Sequence, residues 1–329
     1  MTRIWQFCFR VILVALCYVP LAQAASADAA KDYPNRPIRM LVAQAPGSGV
    51  DTVSRIISVR LGELLGQQIV VDNRPGAGGV LGMEISARAA PDGYTLIAAA
   101  TSTMSIAPHL RRNLAYDPLA SFDFISLCAV TPNVLVVNPA LPVKNLKEFI
   151  DYAKARGGKL NMASAGIGSQ SQLSAVMFML AAGIDSLHVP YKGGAATVGA
   201  VMSNESQWLL SPAAAVIALA RSGQLKALGH TLPQRSALFP DVPPIHETVP
   251  GFSYSGWIGL VAPKGTPKLI LEKVHRALIA AVNTPQVKDA LTAQAAEVVT
   301  NTPAEFRKFV QQELAATGEA VKAAGVKAE

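Results

Sequence analysis

The sequence predicts an α/β fold with mainly parallel sheets, on three observations. Short apolar runs alternate with segments whose apolar residues recur at helical spacing. Two strand-to-helix junctions, one in each half of the chain, carry the same kind of glycine-rich turn. No long linker or low-complexity tract breaks the alternation. The 329 residues fit about two domains. With 50% hydrophobic and 16% charged residues the chain can fill sizeable cores, which excludes a disordered protein.

The opening unit spans residues 38–65. An apolar strand over 38–43 leads into Gln44, Ala45, Pro46, Gly47, Ser48, Gly49, Val50 and Asp51. Val53, Ile56, Ile57, Leu61, Leu64 and Leu65 then fall on helical spacing. Glycines let such a turn approach a ligand closely and point backbone N–H groups outward. The helix start adds unpaired donors and the positive end of its dipole, so the unit is a seat for a carboxylate or phosphate. An ordinary βα turn gives the same pattern. Asp51 can occupy the seat itself, stabilise the helix end, or receive an ammonium group or a water.

A second strand over 67–72 and a helix reaching about residue 90 follow. Gly76, Gly78 and Gly82 between them resemble a dinucleotide fingerprint, but Leu81 stands where the third glycine belongs and no ribose-binding acid follows, so a nucleotide site is rejected. After a strand over 94–100, Thr101, Ser102 and Thr103 read as a polar turn that either binds a ligand or caps a helix. Strands are predicted over 124–130 and 133–137, and a helix over 146–155.

The second glycine-rich unit follows a strand over 159–163. Gly166, Ile167, Gly168, Ser169 and Gln170 open a helix carrying Leu173, Val176, Met177 and Leu180 on one face, and Ser169 with Gln172 reads as a capping box. Strands over 187–190, 207–210 and 225–229 come next, with Tyr191 just after the first. Ser211 reads as an N-cap with Pro212 at the first helical position. A strand over 256–262 precedes a helical C-terminal region punctuated by Thr266-Pro267, Thr284-Pro285 and Thr302-Pro303, the last completed by Glu305.

Residues 1–24 read as a cleaved secretory signal: Arg3 and Arg10, a short apolar run, then Ala22-Gln23-Ala24. A cut after Ala27 satisfies the same rule. Cys8 and Cys17 leave with it, so Cys128 has no disulfide partner in the chain and reads as a buried small hydrophobe. Removing Arg3 and Arg10 and no acid keeps a mild positive balance. The charges are scattered, with no basic run of nucleic-acid type. Motifs of catalysis are missing: there is no G-x-S-x-G elbow, no H-E-x-x-H, and no paired-carboxylate motif.

These residues also carry a family pattern. Tyr33-Pro34-x-Arg36-Pro37-Ile38, Ala45-Pro46-Gly47-x-Gly49-x-Asp51, Asn73-Arg74-Pro75-Gly76-Ala77-Gly78-Gly79 and Pro91-Asp92-Gly93-Tyr94-Thr95 resemble the signature blocks of the Bug receptors, the TctC-like periplasmic binding proteins of tripartite tricarboxylate transporters. Gly166-x-Gly168-Ser169, His188-Val189-Pro190-Tyr191-Lys192-Gly193 and Ala262-Pro263-x-Gly265-Thr266-Pro267 continue the match in order. The resemblance implies a two-lobed periplasmic binding protein type II fold, a Venus flytrap, with lobe 1 over 28–128 plus 253–329 and lobe 2 over 129–252. It implies a periplasmic, monomeric receptor, not an enzyme, with no cofactor and no metal. Such a receptor takes a small carboxylate or related polar solute between the lobes for membrane permease subunits, with no nucleic-acid partner. The resemblance implies that two loops, one with Pro46, Gly47, Ser48, Gly49 and Asp51 and one with Gly166, Ile167, Gly168, Ser169 and Gln170, grip the carboxylate through backbone donors; Gln44, Thr101, Ser102, Thr103, Tyr191 and Ser211 complete the candidate ligand contacts. This sequence departs from the pattern at Gln44, Ser48, Val50 and 203–206, and at Ala213–Ala215, where a polar or acidic group is common. Two other classes stay open: a secreted hydrolase or lyase acting on a carboxylate, and a sensory receptor feeding a membrane kinase.

Overall fold

A computed structural model describes residues 32–328. The signal-like segment lies outside the described residues. Two sheets, each covered by helices on both faces, form two α/β lobes.

The first sheet begins with β1 (Ile38–Val42), whose apolar run is buried except for Arg39. α1 (Gly49–Leu65) follows, capped by the Ser48 side chain and ended by Gly66 in the left-handed region at φ 73°. β2 (Ile69–Asn73), α2 (Val80–Ala87) and β3 (Thr95–Ala100) complete the opening half. β1 pairs in parallel with both β2 and β3. A wide π-helical turn (Ser102–Ile106) runs straight into α3 (Ala107–Leu110). The stretch predicted as a polar turn is therefore helical. Thr103 turns inward and its hydroxyl donates to the Ala100 carbonyl at 3.1 Å, so it closes the strand end.

β4 (Phe122–Thr131) is the last strand of this lobe before the chain crosses at Pro132 into β5 (Asn133–Val137). The second lobe then adds α4 (Leu146–Arg156), β6 (Asn161–Ser164), α5 (Gln170–Ala182), β7 (Leu187–Pro190), α6 (Gly194–Met202), β8 (Trp208–Pro212), α7 (Ala213–Arg221) and β9 (Lys226–His230). Its sheet order is β7-β6-β8-β5-β9. The chain returns to β10 (Gly256–Pro263), then α8 (Lys268–Val282), α9 (Pro285–Ala293), β11 (Glu297–Val298) and α10 (Pro303–Ala323). The first sheet runs β11-β4-β10-β3-β1-β2.

The sheets are mixed rather than mainly parallel. β10 is antiparallel to both β3 and β4, and β5 is antiparallel to both β8 and β9. The chain crosses between the lobes and returns, which brings these late and early strands together in opposite directions. The two crossings are tied side by side: the Asn133 N–H donates to Thr231 Oγ1 at 2.9 Å, and the Thr231 and Ser255 hydroxyls meet at 2.7 Å.

Two predicted caps differ. β8 keeps pairing with β5 through Ser211 and Pro212, so Ser211 is a strand residue and Pro212 holds the cap position of α7. Pro267, not Thr266, precedes α8, because the Thr266 hydroxyl donates back to the Pro263 carbonyl at 2.8 Å. Thr302 and Glu305 do form a full capping box on α10.

Apolar burial holds each lobe. Trp208, fully buried, meets Phe149 and Phe178 edge-on at 5.5 and 5.8 Å; burying such a side chain contributes about 1.5–3 kcal/mol. Cys128 lies in the lobe 1 core and its thiol is pushed up to about 12 by burial, which leaves it an unreactive hydrophobe. A small apolar cluster spans the lobes: Ile106 and α10 residues Ala320 and Val321 pack on Leu173 of α5.

Candidate functional site

Both glycine-rich turns end in a serine cap, and in both the side chain three residues on folds back over the turn. In lobe 1, Ser48 Oγ accepts the Asp51 N–H at 3.2 Å. Asp51, only 3% exposed, accepts the Gly47 N–H at 2.8 Å, Asn73 Nδ2 at 2.9 Å and Arg55 Nε at 3.0 Å. Burial alone would raise the Asp51 pKa, but the bonds from Arg55, Gly47 and Asn73 outweigh it and hold the carboxyl below its usual range. Asp51 is thus an ionised brace, and the Gly47 amide is already taken.

In lobe 2, Ser169 Oγ accepts the Gln172 N–H at 3.3 Å. Gln172 Oε1 accepts the Gly168 N–H at 2.6 Å, one residue earlier than a capping box would place it. Gln172 Nε2 sits 3.1 Å from His188 Nδ1, and His188 Nε2 sits 2.6 Å from Ser164 Oγ. Burial lowers the His188 pKa, so this brace is neutral at pH 7.

Pinned this way, each turn leaves its helix start open. The N–H groups of Gly49 and Val50, and those of Gln170 and Ser171, have no acceptor among the described residues. Donors at a helix N-terminus, reinforced by the dipole, bind anions. α7 adds a third open start, with Ala213 N–H bonded to the Pro132 carbonyl and Ala214 and Ala215 free.

These helix starts meet at the cleft between the lobes. An inner cavity of about 340 Å³ is lined by Gln44, Gly49, Val50, Thr101, Ser102 and Gln170, with Trp257 and Ala213–Ala215 behind. Its volume lies at the low end of ligand sites, which run about 300–1,000 Å³. An outer cavity of about 660 Å³ is lined by Ile167, Gly168, Ser169, His188, Arg111 and Lys327. Ser102 and Gln170 line both and stand between them. Gln44 Nε2 donates to Ser102 Oγ at 3.0 Å and fixes that junction from lobe 1. The Thr101 hydroxyl accepts the Trp257 N–H at 2.9 Å.

The sequence-predicted residues therefore divide. Gln44, Gly49, Thr101, Ser102, Ile167, Gly168, Ser169 and Gln170 line the cleft. Pro46, Gly47, Ser48, Asp51, Thr103, Gly166, Tyr191 and Ser211 line neither cavity. Ser48 and Asp51 brace the turn; the Tyr191 hydroxyl meets Ser206 Oγ at 3.1 Å, and its N–H donates to Ser164. Sequence reasoning missed Gln172 and His188 as braces, although Gln172 was visible as a cap partner. It also missed Gln294 and Ala295, which reach the inner cavity from far along the chain with no local signal. A larger hollow of about 730 Å³ runs along the outside of α1 and β2, away from every open helix start. Among the described residues no cluster of His, Cys, Asp or Glu is placed to hold a metal, and no helix is long and apolar enough to cross a membrane.

Two α/β lobes that close open helix starts over a shared cavity define the class of two-lobed solute-binding proteins. Comparison with known proteins makes this specific: the chain belongs to the tripartite tricarboxylate transporter family receptors, whose family model matches residues 53–326. Protein BugT of Bordetella pertussis is 34% identical over 320 residues, covering 97% of this chain and 98% of the relative. The structure of periplasmic binding protein BugD is 33% identical with a TM-score of 0.71, covering 90% of this chain and 100% of that one. MatC from Rhodopseudomonas palustris with bound malate is 32% identical with a TM-score of 0.70, covering 88% and 100%.

Proposed function

We propose that this chain is a periplasmic receptor, exported by a cleaved signal, that captures a small carboxylate or related polar solute between its lobes. It hands that solute, as a monomer, to the permease subunits of a tripartite tricarboxylate-type transporter. It binds without turnover. The observation that carries this reading is the convergence of open helix starts from both lobes, Gly49 and Val50 with Gln170, on the inner cavity. The malate held by a relative supports the ligand class.

The lobes of this reading are residues 28–128 plus 253–329 and residues 129–252, hinged at the two crossings. A charge-assisted hydrogen bond contributes roughly 1.5–3 kcal/mol net, and a helix N-terminus about 0.3–1. Four or five such contacts, less ordering costs, reach about −8 kcal/mol, or micromolar binding. A ligand that touches both lobes stabilises the closed form, which is what a membrane partner reads.

A thermal-shift screen of mono-, di- and tricarboxylates, amino acids and nicotinate-type aromatics tests this, followed by mass spectrometry of what co-purifies. At least one carboxylate raises the melting temperature saturably and is recovered unchanged. A screen in which no carboxylate stabilises the protein, or one in which the bound compound is converted, overturns the proposal.

A further inference from the structure

The start of α5 reaches lobe 1 through one side chain. Gln170, the first residue of that helix, stands between the two cavities, yet its Nε2 is buried and has no hydrogen-bond partner. It lies over Gly256, the first residue of β10. A Cβ at that glycine would fall 2.6 Å from Gln170 Nε2 and 2.4 Å from Thr131 Oγ1, closer than side chains pack. Gly256 and Thr131 are register partners of β10 and β4, in the lobe 1 sheet beside the crossing. The Gly256 backbone is not in the left-handed region, so room, not backbone angle, is what the glycine supplies. Nε2 and Oγ1 both lie within 2.6 Å of that one point, which puts them at most about 5 Å apart. A buried donor left unpaired is costly, and a small further approach of lobe 2 brings it onto the threonine hydroxyl.

We infer that Gly256 and Thr131 are the closing stop for lobe 2: as the lobes shut on a carboxylate, the Gln170 amide settles over Gly256 and donates to Thr131 Oγ1. The inference rests on the carboxylate reading above and deepens it by adding positioning groups. The contact sets how far the open Gln170 backbone amide advances toward the Gly49 and Val50 amides of lobe 1. A methyl group at position 256 takes the place of the side-chain amide, and the lobe 2 helix start loses its hold on the lobe 1 sheet.

Isothermal titration of the purified protein with malate, succinate, glutarate and adipate tests it, each variant being read on whichever of these binds the parent protein most tightly. Gly256→Ala, Gln170→Ala, which keeps the backbone amide, and Thr131→Val, which keeps the shape, each weaken binding about five-fold. Their melting temperatures without carboxylate stay close to the parent's, which a merely structural defect would lower. The double variant Gln170→Ala with Thr131→Val binds no more weakly than either single variant, because both remove the same contact. Parent-like binding by Gly256→Ala, or losses that multiply in the double variant, overturn the inference and leave the carboxylate reading standing. If Gly256→Ala does not fold, Gln170→Ala, Thr131→Val and their double decide alone. A parent protein that binds none of the four, together with a carboxylate screen that is blank, overturns both.

Discussion

Three places past its serine cap, lobe 1 carries Asp51 and lobe 2 carries Gln172. Each side chain takes the N–H of the glycine just before the cap, Gly47 or Gly168. The geometry is shared and the charge is not. Asp51 is ionised and tied to Arg55 and Asn73, whereas Gln172 leans on a neutral His188. The difference separates two jobs that one turn performs. The brace fixes the backbone, and the open amides beyond it meet the ligand. Lobe 1 secures its brace with an ion pair at the cost of a standing negative charge near an anion seat. Lobe 2 avoids that charge and accepts a softer brace.

The largest expected effect follows from removing the charged brace. Asp51→Ala leaves Arg55, Asn73 and the Gly47 N–H without their acceptor and should cost about 3 kcal/mol in urea unfolding, where Gln172→Ala costs about 1. Equal costs would show that the ion pair is not what distinguishes the loops. Next come the glycines. Gly47 and Gly168 sit at φ +80° and +73°, but a Cβ at Gly47 meets nothing within 4 Å, while one at Gly168 lies 2.7 Å from Leu110 of the other lobe. Gly47→Val should therefore cost only the backbone strain, about 1–2 kcal/mol. Gly168→Val should add a loss of ligand-induced stabilisation, because it props the lobes apart. A thermal shift with a bound carboxylate separates the two.

A smaller effect tests what the loops share. Ser48→Ala and Ser169→Ala each remove a capping acceptor and should cost about 1 kcal/mol apiece, alike in both lobes, by chemical denaturation. The smallest effect is in pH. His188 has a lowered pKa in the fold, so the unfolded chain binds the extra proton first and stability falls as pH drops below about 6.5. Asp51, also lowered, gives up stability only as pH falls through and below the ordinary carboxylate range near 3.8. His188→Gln should make the fall of stability below pH 6.5 shallower and leave the part contributed by His230, whose pKa burial lowers to about 4; a slope equal to the parent's would mean that the lobe 2 brace does not depend on the neutral ring.

Local features were readable before the structure. The Ser169 cap, the Thr302–Glu305 box and nearly every strand follow from spacing over a few residues, whereas the Ser48 cap came only with the structure. What stayed hidden is non-local. Asp51 reaches Asn73 and Gln172 reaches His188, across an intervening strand or helix that periodicity does not place. The antiparallel role of β10 depends on a return crossing, which no local pattern encodes. Ser211 and Pro212 read as a helix start because their own sequence favours one, but pairing with β5 keeps them in the sheet. Nearly half of the inner lining is alanine, valine and proline, residues with no functional signature until the fold gathers them around a cavity.

A crystal structure of the protein with its tightest carboxylate tests the central claim most directly. The account predicts a carboxylate oxygen within hydrogen-bonding distance of the Gly49 or Val50 amide and another near the Gln170 or Ser171 amide, with Gly47 and Gly168 still bonded to their braces. A ligand seated in the hollow outside α1 and β2, or one held by a single lobe, would contradict it.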